Sequence, residues 1–121
     1  MKKTKLVSKH GGRSKAKRNY VDEISQEFAT NVRKKLGNRV KEIILFGSRA
    51  RGDFYEGSDY DILIVLHKRE KDFQEMVLDE SVEIMNKYYA LIGFIVCDEK
   101  EWERKKRFPI GLNIIKEGVE L

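Results

Sequence analysis

Two acids two positions apart, Asp59 and Asp61, stand directly before five consecutive apolar residues, Ile62-Leu63-Ile64-Val65-Leu66. No other stretch restricts the fold so narrowly. A run of this composition reads as a buried strand over 59–66, and residues i and i+2 of a strand project from the same face. The two carboxylates are therefore neighbours. Held that close they repel each other, and a cation between them removes the cost. Mg²⁺, which completes its shell with oxygen ligands and substrate phosphates, suits such a pair. Acids alone at a strand end can simply keep a sheet edge soluble; in front of five apolar residues they mark the mouth of a cleft.

The segment just upstream supplies the other half of a site. Val40 to Phe46 is a short β-rich run that ends in Gly47, so a strand feeds a turn. Glycine there lets the chain turn sharply and brings backbone N–H groups close to a ligand. Ser48 adds a hydroxyl for a phosphate oxygen. Arg49 and Arg51 can grip phosphates, although a solvated turn would also use them. Residues 48–58 are polar and read as a loop with one helical turn, whose free amides would face an anion.

Around this segment the pattern is regular. Val21, Ile24, Phe28, Val32 and Leu36 recur at three- and four-residue steps, the stripe of an amphipathic helix that Gly37 is placed to end. Phe73, Met76, Val77, Ile84, Met85 and Tyr88 mark a long second helix, and Ala90 to Cys97 a third strand. Asp98-Glu99-Lys100-Glu101 opens a charged helical turn carrying Trp102. Pro109 starts a last helix with Ile110, Ile114 and Ile115, which stops near Gly118. The fold class is α/β (α+β): a small mixed β-sheet with helices packed on one face. A chain of 121 residues fits one such domain.

Charge divides the chain. Residues 1–18 hold eight Lys and Arg and no acid, so the net charge of +5 belongs to this segment and the remainder is mildly acidic. It lacks apolar periodicity and repels itself, which predicts a flexible basic arm over 1–18 and a folded domain over 19–121. The arm could contact RNA or DNA phosphates through residues 2–18. The basic start has no apolar stretch behind it, so no secretory leader is expected, and nothing approaches the ~20 apolar residues of a membrane span. The single Cys97, in an apolar run, reads as a buried thiol in a reducing cytoplasm.

Gly47-Ser48, ten residues, then Asp59-Tyr60-Asp61, set between two apolar strands, resembles the signature of the nucleotidyltransferase superfamily that includes DNA polymerase beta. The similarity is greatest to its small stand-alone members, the minimal nucleotidyltransferases, and covers roughly residues 20–121. That resemblance implies that Gly47 and Ser48, with Arg49 and Arg51, hold the phosphates of ATP or another NTP. It implies that Asp59 and Asp61 are catalytic and ligate Mg²⁺, and that a nucleoside monophosphate moves while pyrophosphate leaves. Small members also resemble the MntA-type antitoxins, which pair with an all-helical HEPN-domain protein and can attach AMP to it.

The chain departs from the family in one place. Active members carry a third carboxylate on a neighbouring strand, and Ala90-Leu91-Ile92-Gly93-Phe94-Ile95-Val96-Cys97 contains no acid. Asp98 and Glu99 lie just beyond it; Asp53 and Glu56 sit in the loop. Either one of these substitutes, or the domain binds nucleotide with weakened transfer and works by neutralising a partner. A nucleic-acid-binding protein using the basic arm is the third reading. His10 and His67 have no ligand-spaced partner, Tyr60 and Cys97 read as core, and Trp102 with Phe108 as packing for the last helices.

Overall fold

The expected apolar run is the centre of the molecule. In the computed structural model, which describes Lys5–Leu6 and residues 20–121, it forms the strand β4. The elements are β1 (Lys5–Leu6), β2 (Tyr20–Val21), α1 (Glu23–Leu36), a 3-10 turn (Gly37–Arg39), β3 (Val40–Phe46), α2 (Ser48–Arg51), β4 (Tyr60–Leu66), α3 (Phe73–Tyr88), β5 (Ile92–Asp98), α4 (Glu99–Lys105), α5 (Pro109–Glu117) and β6 (Val119–Glu120). The main sheet has the order β5-β4-β3-β6. β4 pairs antiparallel with β3, placing Phe46 opposite Asp61, and parallel with β5, placing Gly93 opposite Asp61. The sheet is therefore mixed, as expected.

Alternation along β4 sends its side chains both ways. Ile62, Ile64 and Leu66, with Ile43 and Leu45 of β3, pack under Phe28, Val32 and Leu36 of α1 and Phe73, Val77 and Ile84 of α3. This is the expected helical layer. α1 starts at Asp22, whose side chain accepts from the Ser25 N–H, and ends at Gly37, whose N–H returns to the Arg33 carbonyl. The two helices are also tied by Glu80, almost fully buried, which accepts from Asn31 at 2.8 Å and pairs with Lys35 at 3.2 Å. A buried carboxylate needs such partners to be tolerated.

The opposite face is covered too, which the reading of helices on one face did not include. Leu63 and Val65 turn away from α1 and join Cys97, Trp102 of α4 and Ile114 of α5 in a second, smaller cluster. A strand that is apolar at every position from Ile62 to Leu66 must be buried on both faces. α4 is fixed at its start by a capping box, in which Asp98 accepts the Glu101 N–H and Glu101 accepts the Asp98 N–H. α5 then runs back across the sheet, and β6 completes the edge beside β3, with Leu45 opposite Val119.

The other edge strand, β5, is partly closed by a side chain: Arg69 donates to the Val96 carbonyl at 2.7 Å and pairs with Glu101 at 3.3 Å. No helix among the described residues is long and apolar enough to cross a membrane. Of the expected basic arm, Lys5–Leu6 pairs antiparallel with Tyr20–Val21; the rest of it lies outside the described residues.

Candidate functional site

β3 and β4 run antiparallel, so the end of one and the start of the other lie side by side. That single fact joins the two halves of the motif. Gly47 turns off β3 with φ 79° and ψ −161°, a conformation essentially confined to glycine. A Cβ there would stand 2.4 Å from Asp61 Oδ2, so the turn lies directly against the carboxylate. After the turn, the Ala50 and Arg51 amides both return to the Gly47 carbonyl, which leaves the Ser48 and Arg49 amides unused by the helical turn. The Ser48 hydroxyl makes no hydrogen bond among the described residues.

Asp61 is half-buried and Asp59, just ahead of β4, is exposed. Burial pushes the Asp61 carboxyl above the ordinary carboxylate range, and the Asp59 charge pushes it further. Arg51 opposes the shift; Glu117 adds to it. The site is thus a crowd of like charges with one cation beside them. The described residues contain no group of three or more His, Cys, Asp or Glu placed to hold a metal ion. A pair of carboxylates without further protein ligands suits Mg²⁺, which keeps several non-protein ligands, better than a metal that needs a full protein cage.

The other expected site residues separate. Arg51 faces the carboxylates, its Nε on Asp53 and its Nη1 on Glu117, both at 3.1 Å. Arg49, expected beside it as a phosphate ligand, is instead engaged in the fold. Its guanidinium stacks 4.3 Å from the Phe54 and Tyr60 rings and donates through Nε and Nη2 to the Ser58 carbonyl. Only 14% of its side chain is exposed. The reason is packing: Tyr60 occupies the face of β4 opposite Asp61, where its hydroxyl donates to Asp22, and Arg49 is drawn over it. Arg49 holds the 48–58 loop rather than the ligand side of the turn.

The substitute acids separate as well. Asp98 caps α4 opposite Leu66, and Glu99 pairs with His67 at 2.7 Å and Lys41 at 3.6 Å. Both lie at the far end of β4 and β5 from Asp61, roughly 16 Å along the strands at ~3.3 Å per residue. Asp53 is held by Arg51, and Glu56 is exposed in the turn. The strand position that faces Asp61 is Gly93, where a Cβ would lie an ordinary 3.6 Å from Asp61 Oδ1. The acid that does reach the site is one the sequence did not mark. Glu117 of α5 accepts the Gly47 N–H through Oε2 at 3.0 Å.

Comparison with known proteins bears on this arrangement. The nucleotidyltransferase domain family model matches residues 25–114. A relative from Methanocaldococcus jannaschii, named "Putative protein adenylyltransferase", is 40% identical over 93 residues, 77% of this chain and 89% of that protein. A crystal structure of a toxin-antitoxin with AMP-PNP aligns with TM-score 0.53 at 12% identity, over 78% of this chain and 70% of the other. A crystal structure of a mutant of the toxin-antitoxin MntA-HpeT aligns with TM-score 0.51 at 10% identity, over the same shares. At those identities the two structures share the fold.

Proposed function

The chain belongs to the nucleotidyltransferase domain family, and we propose that it binds an NTP, ATP in the first instance, with Mg²⁺ and transfers a nucleoside monophosphate to a helical protein partner. The observation that carries this reading is the contact between the Gly47 turn and Asp61. It sets a glycine turn with two unused backbone amides against one carboxylate of the Asp59/Asp61 pair. The naming of the 40% identical relative as an adenylyltransferase and the likeness to toxin-antitoxin structures, one with AMP-PNP, support the substrate and the kind of partner. The buried Cys97, its thiol pushed up to about 11 by burial, stays protonated and inert, in keeping with a cytoplasmic setting.

Each residue then has a task. The Gly47 N–H, the Ser48 hydroxyl and the Arg51 guanidinium hold phosphate oxygens and fix the triphosphate over Asp61. Asp59 and Asp61 hold Mg²⁺, which when bound supplies Lewis-acid stabilisation of the charge that develops on the phosphoryl oxygens. An acceptor oxygen bonds to the α-phosphorus as the α–β anhydride bond breaks, pyrophosphate leaves, and the acceptor's proton passes to solvent water. Arg49 keeps the loop in place from the other face.

Gly93 favours a second reading in which transfer is weak and binding is the main task. With no acid opposite Asp61 on β5, a metal held there would have one protein carboxylate fewer to draw on, while the donors offered to phosphate are unchanged. Incubation with α-³²P-labelled ATP, with and without a helical partner, separates the two. The protein alone is expected to bind Mg²⁺-ATP but label an acceptor slowly or not at all. Gly93→Asp is expected to raise transfer at least about tenfold and to make the melting temperature more dependent on Mg²⁺. Transfer by the unaltered protein at the variant's rate would remove the argument from the missing acid. No transfer by either protein, with any partner, would leave only the binding module.

A further inference from the structure

The proposed phosphate seat already holds an anion that belongs to the chain. Glu117 uses each carboxylate oxygen once: Oε2 accepts the Gly47 N–H at 3.0 Å and Oε1 accepts from Arg51 Nη1 at 3.1 Å. Those are two of the three donors assigned above to the ligand's phosphate, and a carboxylate bridging them engages them as two phosphate oxygens would. The Glu117 side chain is 17% exposed and that of Arg51 45%, so the carboxylate end of the bridge is sheltered while the guanidinium end stays open to water.

The position of this side chain is enforced from both sides. α5 is anchored by buried Ile114 and by Gly111, where a Cβ would fall 1.8 Å from the Lys105 carbonyl oxygen. Directly after Glu117 the chain enters β6, which pairs with β3 at Ile44 and Leu45, two residues before the turn. Gly118 fits so closely against Ile44 that a Cβ on it would stand 2.6 Å from Ile44 Cγ2, a distance no side chain could share. The backbone is thereby locked beside the end of β3, while the Glu117 side chain depends on the two bonds it makes.

We propose that Glu117 is a built-in competitor for the ligand's phosphate, an internal anion that must release Gly47 and Arg51 before a phosphate can take them. The proposal rests on the assignment of Gly47 and Arg51 as the phosphate seat. It gives the site a closed form, in which the Gly47 N–H and the arginine are satisfied and held. Ligands without an anion have no means of opening it. Every phosphate-bearing ligand then binds more weakly than the seat alone would allow, by the same factor, whereas a ligand that does not use the seat escapes the penalty.

Glu117→Gln keeps size and shape and removes the charge, and Glu117→Asp keeps the charge but shortens the reach. Both are compared with the unaltered protein by calorimetric titration with inorganic triphosphate, Mg²⁺-ATP and adenosine, after melting curves confirm that each is folded. Glu117→Gln is expected to bind triphosphate and Mg²⁺-ATP about tenfold more tightly, the loss of one charge-assisted bridge, with adenosine unchanged. Glu117→Asp is expected to shift the same two ligands in the same direction by less. Equal or weaker binding of triphosphate by a folded Glu117→Gln would overturn the proposal and make Glu117 a tether of the turn. Absence of triphosphate binding in all three proteins would overturn the phosphate seat itself, and the competitor with it.

Discussion

Alanine at position 47 is expected to destabilise the protein by about 3 kcal/mol and to abolish nucleotide binding. Two effects add. The backbone at Gly47, φ 79° and ψ −161°, lies where a Cβ costs of order 1–3 kcal/mol. The new methyl group would also stand 2.4 Å from Asp61 Oδ2 and 3.2 Å from Asp61 Cγ, and overpacking of this kind costs roughly 1–3 kcal/mol. The clash falls on a short side chain with little freedom, so relief comes only by swinging the carboxylate away from the turn. Urea denaturation gives the loss of stability, and titration with Mg²⁺-ATP the loss of binding. A cycle with Asp61→Ala separates the terms: without the carboxylate, Gly47→Ala should retain the backbone cost and lose the steric one. An undiminished cost in that background would mean that the contact with Asp61 is not tight.

Asp59→Asn with Asp61→Asn is expected to weaken Mg²⁺-ATP binding at least about a hundredfold, roughly 3 kcal/mol, and at the same time to stabilise the fold. The sign follows from the direction of the Asp61 shift. Burial, then Asp59, raises its carboxyl in the folded state above the ordinary value. The folded protein therefore holds that proton more tightly than the unfolded chain does. Stability falls as pH rises from the ordinary carboxylate range through the raised folded value. At neutral pH the unaltered protein carries this penalty, and the amide variant does not. Melting temperature at pH 7 should be higher for the amide variant in the absence of Mg²⁺. The gap should close below about pH 3, where Asp61 is protonated in both states. A variant that melts lower than the original at pH 7 would show that the pair is stabilising, and the argument for a cation between them would fail with it.

How far the sequence could be read depended on where each signal is written. β3 runs from Val40 to Phe46 and α3 from Phe73 to Tyr88, as periodicity and turn residues predict, because patterns of that length are carried by many residues at once. That the Gly47 turn and Asp61 meet at one end of the sheet was readable too, since two adjoining strands joined by one loop leave few alternatives. The second helical layer had a signal that went unused: Ile62-Leu63-Ile64-Val65-Leu66 does not alternate, and a strand apolar on both sides needs cover on both. β6 is two residues long, below any periodicity.

Arg49 and Glu117 show what local reading cannot reach. Arg49 and Arg51 are two apart in the same turn with the same chemistry, and only the position of the Tyr60 ring decides which one faces the carboxylates. Glu117 looks like any acid at the end of a surface helix. Its place in the site is set by β6 returning to β3, a contact 70 residues away along the chain.

The remaining open side of the sheet has a consequence of a different kind. β5 is an outer strand, and the unpaired backbone groups of such a strand are a template on which another chain can lay itself. Arg69 blocks that template at one rung by occupying the Val96 carbonyl, with Glu101 holding the guanidinium in place. The pair stands at the Asp98 end of β5, away from Asp61 opposite Gly93, so it bears on the sheet edge and not on the chemistry of the carboxylates. A second strand laid along β5 would have to displace this guanidinium from the Val96 carbonyl before it could complete the ladder there.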